Sequence, residues 1–316
     1  MDATAATAGR PVVPVWQTAK AAYRLGLGAV FGDFAVFRYF LYAGSLALLV
    51  ATGHFYLVGV NLKAATAPAA DDTMPLLQLG AGMLLDAFLA FALTPFGVAL
   101  HRKILFRESP RGVYFGGAMA PPRRRFFLAT LFILAIYQVF ALALIPVLYL
   151  LYGVNALNTT ALASAYRSNH ALVTTTALLT YGMIFVMAII VARCSLLFPA
   201  AAMARPGPWF REAIREARGT AARLFWLFVV ICIPAIIVFF VAIIGASLAF
   251  AVPRLQAHMT PQQMRGEMVL SAPFLVLYAF MFAVAMLLTA VIGAGAARAY
   301  EIRTNGDTSR VAEIFS

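Results

Sequence analysis

The sequence predicts an all-α fold: a polytopic membrane helix bundle of six transmembrane helices, arranged as three hairpins, with interfacial amphipathic helices. Three observations predict it. Hydrophobic residues fill 63% of the 316 positions and charged residues only 11%, whereas a soluble domain carries charge at about a quarter of its positions. Six apolar stretches reach the roughly 20 residues needed to cross the hydrocarbon core. The basic residues, which give a formal charge of +12, stand in short clusters between those stretches and not in one solvated patch, so membrane topology explains them and nucleic acid is not an expected partner.

The spans run approximately from Ala35 to Val60, Met74 to Leu100, Phe126 to Tyr152, Leu172 to Val191, Leu224 to Val252 and Val269 to Ala297. The longest connectors, 101–125 and 192–223, are too small for an independent catalytic domain, so any activity must lie in the bilayer or at its surfaces. This divides the chain into a segment with an interfacial helix (1–34), a six-span domain (35–300) and a tail (301–316). The opening MDATAATAGRPVVP lacks an apolar core, and the first span reads as an uncleaved anchor. Cys194 and Cys232 fall in or beside spans and read as small packing residues, not a disulfide framework.

Direction follows from the bases. Twenty Lys and Arg lie before the second turn of span one, between spans two and three, between spans four and five, and after span six. The alternate connectors hold only Lys63, Arg167, Arg254 and Arg265. The positive-inside rule then places both termini in the cytoplasm, which requires an even number of spans.

Two basic segments have helical character. In PWFREAIREARGTAARLFW (Pro208 to Trp226), Arg211, Arg215 and Arg218 share one face while Phe210, Ala213, Ile214 and Ala217 share the other. In VWQTAKAAYRLGLGAVFGDF (Val15 to Phe34), Lys20 and Arg24 stand at i, i+4 among apolar residues. Both read as interfacial helices suited to contact with membrane lipids or a partner protein, a second copy included.

Each even span returns to the basic side and ends in small residues followed by a base: TPFGVALHRK, FPAAAMARPG and TAVIGAGAARAY. Pro95 aligns with Pro199 as a candidate helix break, and His101 with Arg205. Gly97, Ala201 and the run Gly293, Ala294, Gly295 read as places where backbones approach closely.

An interfacial helix, six spans, VARCSLLFPAAAMA (Val191 to Ala204), EAIREARGTAARLFWLF (Glu212 to Phe228) and the closing AARAYEIR (Ala296 to Arg303) together resemble a group of bacterial inner-membrane proteins of uncharacterised function. That group is similar to the membrane domain attached to some glycerophosphoryl diester phosphodiesterases. The resemblance implies a multi-pass protein of the bacterial inner membrane, with Arg193, Pro199 and Trp226 at matching places. The phosphodiesterase catalytic domain, with its His and Glu metal site, is absent from these residues, so hydrolysis is not implied.

Soluble-enzyme signatures are also absent: the sequence has no HExxH, no GxSxG with partners, no P-loop and no CxxC pair. His54, His170 and His258 fall at the outer ends of their spans, near Asp71 and Asp72, but their spacing fits no metal motif, and neither a metal nor another cofactor is expected. The one conspicuous intramembrane group is Asp86, about 18 Å inside the second span at 1.5 Å per residue. An acid at that depth needs a partner or a proton. Gln138 and Tyr137 on span three and Tyr181 on span four lie at its level, Gln138 being the preferred partner; Arg193 lies about 13 Å too deep.

Two functional classes follow. The leading one is a non-catalytic membrane protein that engages lipid or a partner through its basic face. The alternative is a small secondary transporter or lipid-moving protein that uses Asp86 and a helix break at Pro95.

Overall fold

The computed structural model describes residues 12–64, 74–116, 120–152, 170–203, 208–256 and 272–304. They form helices α1 (Val15–Phe31), α2 (Phe34–Ala64), α3 (Met74–Phe106), α4 (Pro121–Tyr152), α5 (His170–Cys194), α6 (Leu197–Ala202), α7 (Trp209–Ala217), α8 (Ala221–Gln256) and α9 (Ala272–Arg303), with no strand among the described residues. Helices α2, α3, α5, α8 and α9 are long and apolar enough to cross a membrane over the described residues. Helix α4, with the apolar run from Phe126 to Tyr152, is the sixth long one.

These helices are apolar on every side, so packing buries only part of their hydrophobic surface. Leu49, Leu84, Phe185, Ile237, Phe240 and Val241 all point outward. A water-soluble protein does not leave such a surface uncovered; in lipid it is the ordinary exterior. The chain is an all-α membrane helix bundle.

Small residues set the helix crossings. α1 packs along the C-terminal half of α9 and against α8, burying Thr18, Ala19, Ala22, Gly26, Ala29 and Val30. A Cβ on Gly26 would fall 2.9 Å from both the Ala290 carbonyl oxygen and the Val291 Cα, so the two backbones touch. Tyr23 Oη donates to the Ile231 carbonyl of α8 at 2.5 Å. The N-terminal helix, whose Lys20 and Arg24 pattern reads in sequence as interfacial, is a packed member of the bundle whose outer stripe carries those two bases. The small residues Ala19, Ala22 and Gly26 make that close approach possible.

The two prolines behave differently. In the stretch after α5 the helix breaks at Ser195 and Leu196 before resuming as α6. This is where a proline at 199 acts, since its ring clashes with the carbonyl four residues earlier. α3, by contrast, runs through Pro95 without interruption, which corrects the expectation of a helix break there.

One end of the bundle collects the basic elements. The start of α1, the end of α3, α6, α7 and the end of α9 share a core that includes Val15, Ile104, Met203, Trp209, Ile214, Tyr300 and Ile302. Arg303 is only 7% exposed; its Nε and Nη2 donate to the carbonyls of Glu216 and Arg218 at 3.2 and 3.4 Å. It thereby caps the C-terminal end of α7, where backbone acceptors lack helical partners.

Candidate functional site

The connector after α3 reads in sequence as a basic loop. In the structure its 107–116 segment folds back against α3. Tyr114 Oη donates to the Ala92 carbonyl at 2.6 Å, about 21 Å back from the end of α3 at 1.5 Å per residue. Phe115 stacks on Phe91, with centroids 5.5 Å apart. Tyr39 of α2 donates to Val113 O at 3.3 Å and packs its ring edge-on to Tyr114. Pro95 has no N–H for the Phe91 carbonyl, and a weakened ladder of this kind is where other side chains supply donors. Tyr114 docks one residue along from that carbonyl. The sequence signal for this was the apolar run Val113, Tyr114, Phe115 among bases, which a charge count overlooks.

The root of the loop is tied by Asp33. Its carboxylate accepts the Ala35 and Val36 amides at 2.9 and 3.3 Å, capping α2. It also accepts from Lys103 Nζ at 2.5 Å and from the Ser109 hydroxyl. Burial alone would raise its pKa, but these donors outweigh burial and hold it at about 2. Because the folded value lies below the ordinary 3.8, the stabilisation is complete above about pH 4 and is lost as pH falls toward 2. Asp33→Ala is expected to cost about 1–3 kcal/mol at neutral pH, with the gap to the parent closing in acid. Thermal melts across that pH range in detergent check it.

Between the loop, α3, α2 and the start of α4 lies a cavity of about 720 Å³ lined by Arg102, Arg107, Arg111 and Arg123, with Glu108, Tyr39, Pro95, Val98 and Ala99 among the other walls. Arg102 donates to Glu108 Oε2 through Nε and Nη2 at 2.9 and 2.6 Å. Arg123 donates to the carbonyls of Tyr114 and Gly116 at 2.9 and 2.5 Å, fastening the far end of the loop. In sequence these four arginines read as topological charges of the connector between spans two and three, and nothing in their spacing marks them as one cluster.

Of the intramembrane candidates, Asp86 and Gln138 are brought together: Gln138 Nε2 donates to Asp86 Oδ2 at 3.2 Å, and Gln138 is buried. Tyr137 is 54% and Tyr181 70% exposed, so both lie on the outer surface of the bundle. Arg193 is exposed at the end of α5. The cavity lining ends at Pro95, about 13 Å along α3 from Asp86. Pro199 is buried in α6. Lys20, Arg24, Arg211, Arg215 and Arg218 are all exposed, while Ala213 and Ala217 are buried on the opposite face of α7.

The small residues at the ends of the even helices lie against neighbours. Gly97 sits under the Phe126 ring, Gly293 beside Leu100 and His101, and Gly295 beside Ile231. Buried His101 donates from Nδ1 to the Gly97 carbonyl at 2.8 Å, since a carbonyl can only accept. Its Nε2 has no hydrogen-bond partner among the described residues. His258, Asp71, Asp72 and Arg205 lie outside the described residues, as does the side chain of His54. Among the described residues no three metal-ligating side chains gather.

No family model, curated protein or solved structure matches the chain. Its function is therefore argued from its own residues.

Proposed function

We propose that this chain is a multi-pass protein of the bacterial inner membrane, both termini cytoplasmic, that engages anionic lipid headgroups through its basic face. One observation carries the reading. Lys20 and Arg24 on α1 and Arg211 and Arg215 on α7 are exposed, as is Arg218 just past the end of α7, and the other faces of both helices are packed into the same core. None of the five side chains has a hydrogen bond or ion pair among the described residues. Each such cation near an anionic membrane surface contributes about 1 kcal/mol of attraction, and the 20-to-4 distribution of bases supports a cytoplasmic position for that face.

The protein contains its own probes. All three tryptophans, Trp16, Trp209 and Trp226, belong to the helices that meet at the basic end. In vesicles, brominated phosphatidylglycerol is expected to quench their fluorescence more than brominated phosphatidylcholine at equal mole fraction. Glutamine at the five basic positions is expected to abolish the difference. Equal quenching of the parent protein by the two lipids would overturn the reading.

The transport alternative gains no comparable support. α3 is continuous at Pro95, and the arginine-lined cavity stops short of Asp86.

A further inference from the structure

The cavity under the 107–116 loop carries more positive charge than its own contacts use. Glu108 matches Arg102. Arg123 is held by two carbonyls, which position it without neutralising it. Arg107 and Arg111 are exposed and have neither a hydrogen bond nor an ion pair among the described residues. Four arginines thus face one glutamate around about 720 Å³, a volume within the usual range for small-molecule sites.

The remaining wall is of another kind. Pro95, Val98, Ala99 and Pro122 form an apolar side to the same space. A ligand suited to both halves has an anion at one end and hydrocarbon at the other. Arg107 adds a third observation. It follows the last residue of α3 with φ 58°, a left-handed position that glycine usually fills at a helix end and in which an arginine is strained. Such strain persists where the surroundings or a function require it. Here it places a guanidinium at the cavity.

Resting on the lipid-engaging reading above, we infer that this cavity is a discrete site for the phosphodiester headgroup of an anionic phospholipid. Arg107 and Arg111 meet the phosphate, whose oxygens the planar guanidinium can engage two at a time. Arg123, from the start of α4, adds a further guanidinium to the lining. The Pro95, Val98 and Ala99 wall lies against the glycerol backbone and the first methylenes. Free phosphate offers the same anion, but it leaves the apolar wall uncovered. The exposed Val113 and Phe115 on the same loop also favour a ligand that continues into hydrocarbon.

Native mass spectrometry of the full chain in mild detergent, titrated with phosphatidylglycerol, phosphatidylcholine or inorganic phosphate, tests the site. The parent protein is expected to retain one phosphatidylglycerol in preference to the other two. Arg107→Gly combined with Arg111→Gln is expected to weaken that adduct at least tenfold. Arg107→Gly alone is expected to melt no lower than the parent, because glycine relieves the left-handed strain, so lost binding cannot be ascribed to unfolding. Glutamine at Arg211, Arg215 and Arg218 is expected to diminish tryptophan quenching while leaving the tight adduct.

An adduct indifferent to Arg107 and Arg111, with the quenching preference intact, would overturn the cleft alone. If inorganic phosphate bound and competed as well as phosphatidylglycerol, the lipid assignment would fall. Absence of any anionic preference in both experiments would remove the basic-face reading with it.

Discussion

Gly26→Leu is expected to detach α1 from the bundle, at a cost of about 3 kcal/mol or more, the upper end of overpacking effects. The reason is what the new side chain would meet. A Cβ at this position already lies 2.9 Å from the Ala290 carbonyl oxygen and the Val291 Cα, and backbone, unlike the tip of a flexible side chain, cannot swing aside. Accommodation requires α1 and α9 to separate, which also uncovers Ala22, Ala29 and Val30 and pulls Tyr23 from the Ile231 carbonyl. Gly28 is the internal control: it lies on the same helix with nothing within 4 Å of its Cβ position. Gly28→Ala is expected to be neutral or stabilising by up to about 1 kcal/mol, through helix propensity alone. Melting temperature in detergent and protease cleavage within residues 12–33 distinguish the two. Equal behaviour of Gly26→Leu and Gly28→Leu would show that α1 is not docked in this way.

The second large effect is expected at Gly97. Alanine is the better helix former by about 1 kcal/mol, yet Gly97→Ala is expected to destabilise by about 1–3 kcal/mol. Its Cβ would lie 2.4 and 2.6 Å from Cζ and Cε1 of Phe126. That ring cannot move freely, being 8% exposed and wedged between His101 and Phe198 at centroid distances of 5.5 and 4.9 Å. The contact joins α3, α4 and α6 at the basic end. Phe126→Leu should weaken the junction by itself and also make room at residue 97. The double variant is therefore expected to be more stable than the sum of the two single losses by about 1 kcal/mol or more. Strict additivity in that cycle would show that the ring does not rest on Gly97.

Asp86 and Gln138 show what depth arithmetic on a sequence can reach. Counting residues from the ends of two helices puts the two side chains at one level, and the structure brings them within 3.2 Å. The same arithmetic puts Tyr181 at that level, but depth says nothing about which way a helix face turns, and Tyr181 points outward. In helices that are apolar on all sides, no amphipathic stripe marks the inward face. Pro95 is a similar case. Its helix continues, and only the fold reveals Tyr114 donating to Ala92 beside the weakened rung of the ladder.

The sequence by itself determined the fold class, the long helices and the separation of basic from neutral connectors, because span length, hydropathy and charge clustering are sums over neighbouring residues. The outer stripe of α7 was legible for the same reason: a 3.6-residue period is local. Only the tertiary structure decided that α1 belongs to the core, that the 107–116 loop folds back along α3, and that Arg102, Arg107, Arg111 and Arg123 surround one cavity. Those results depend on pairs far apart in the chain, such as Gly26 with Ala290 or Tyr39 with Val113. Their proximity arises from close packing between helices, for which no single segment carries the pattern.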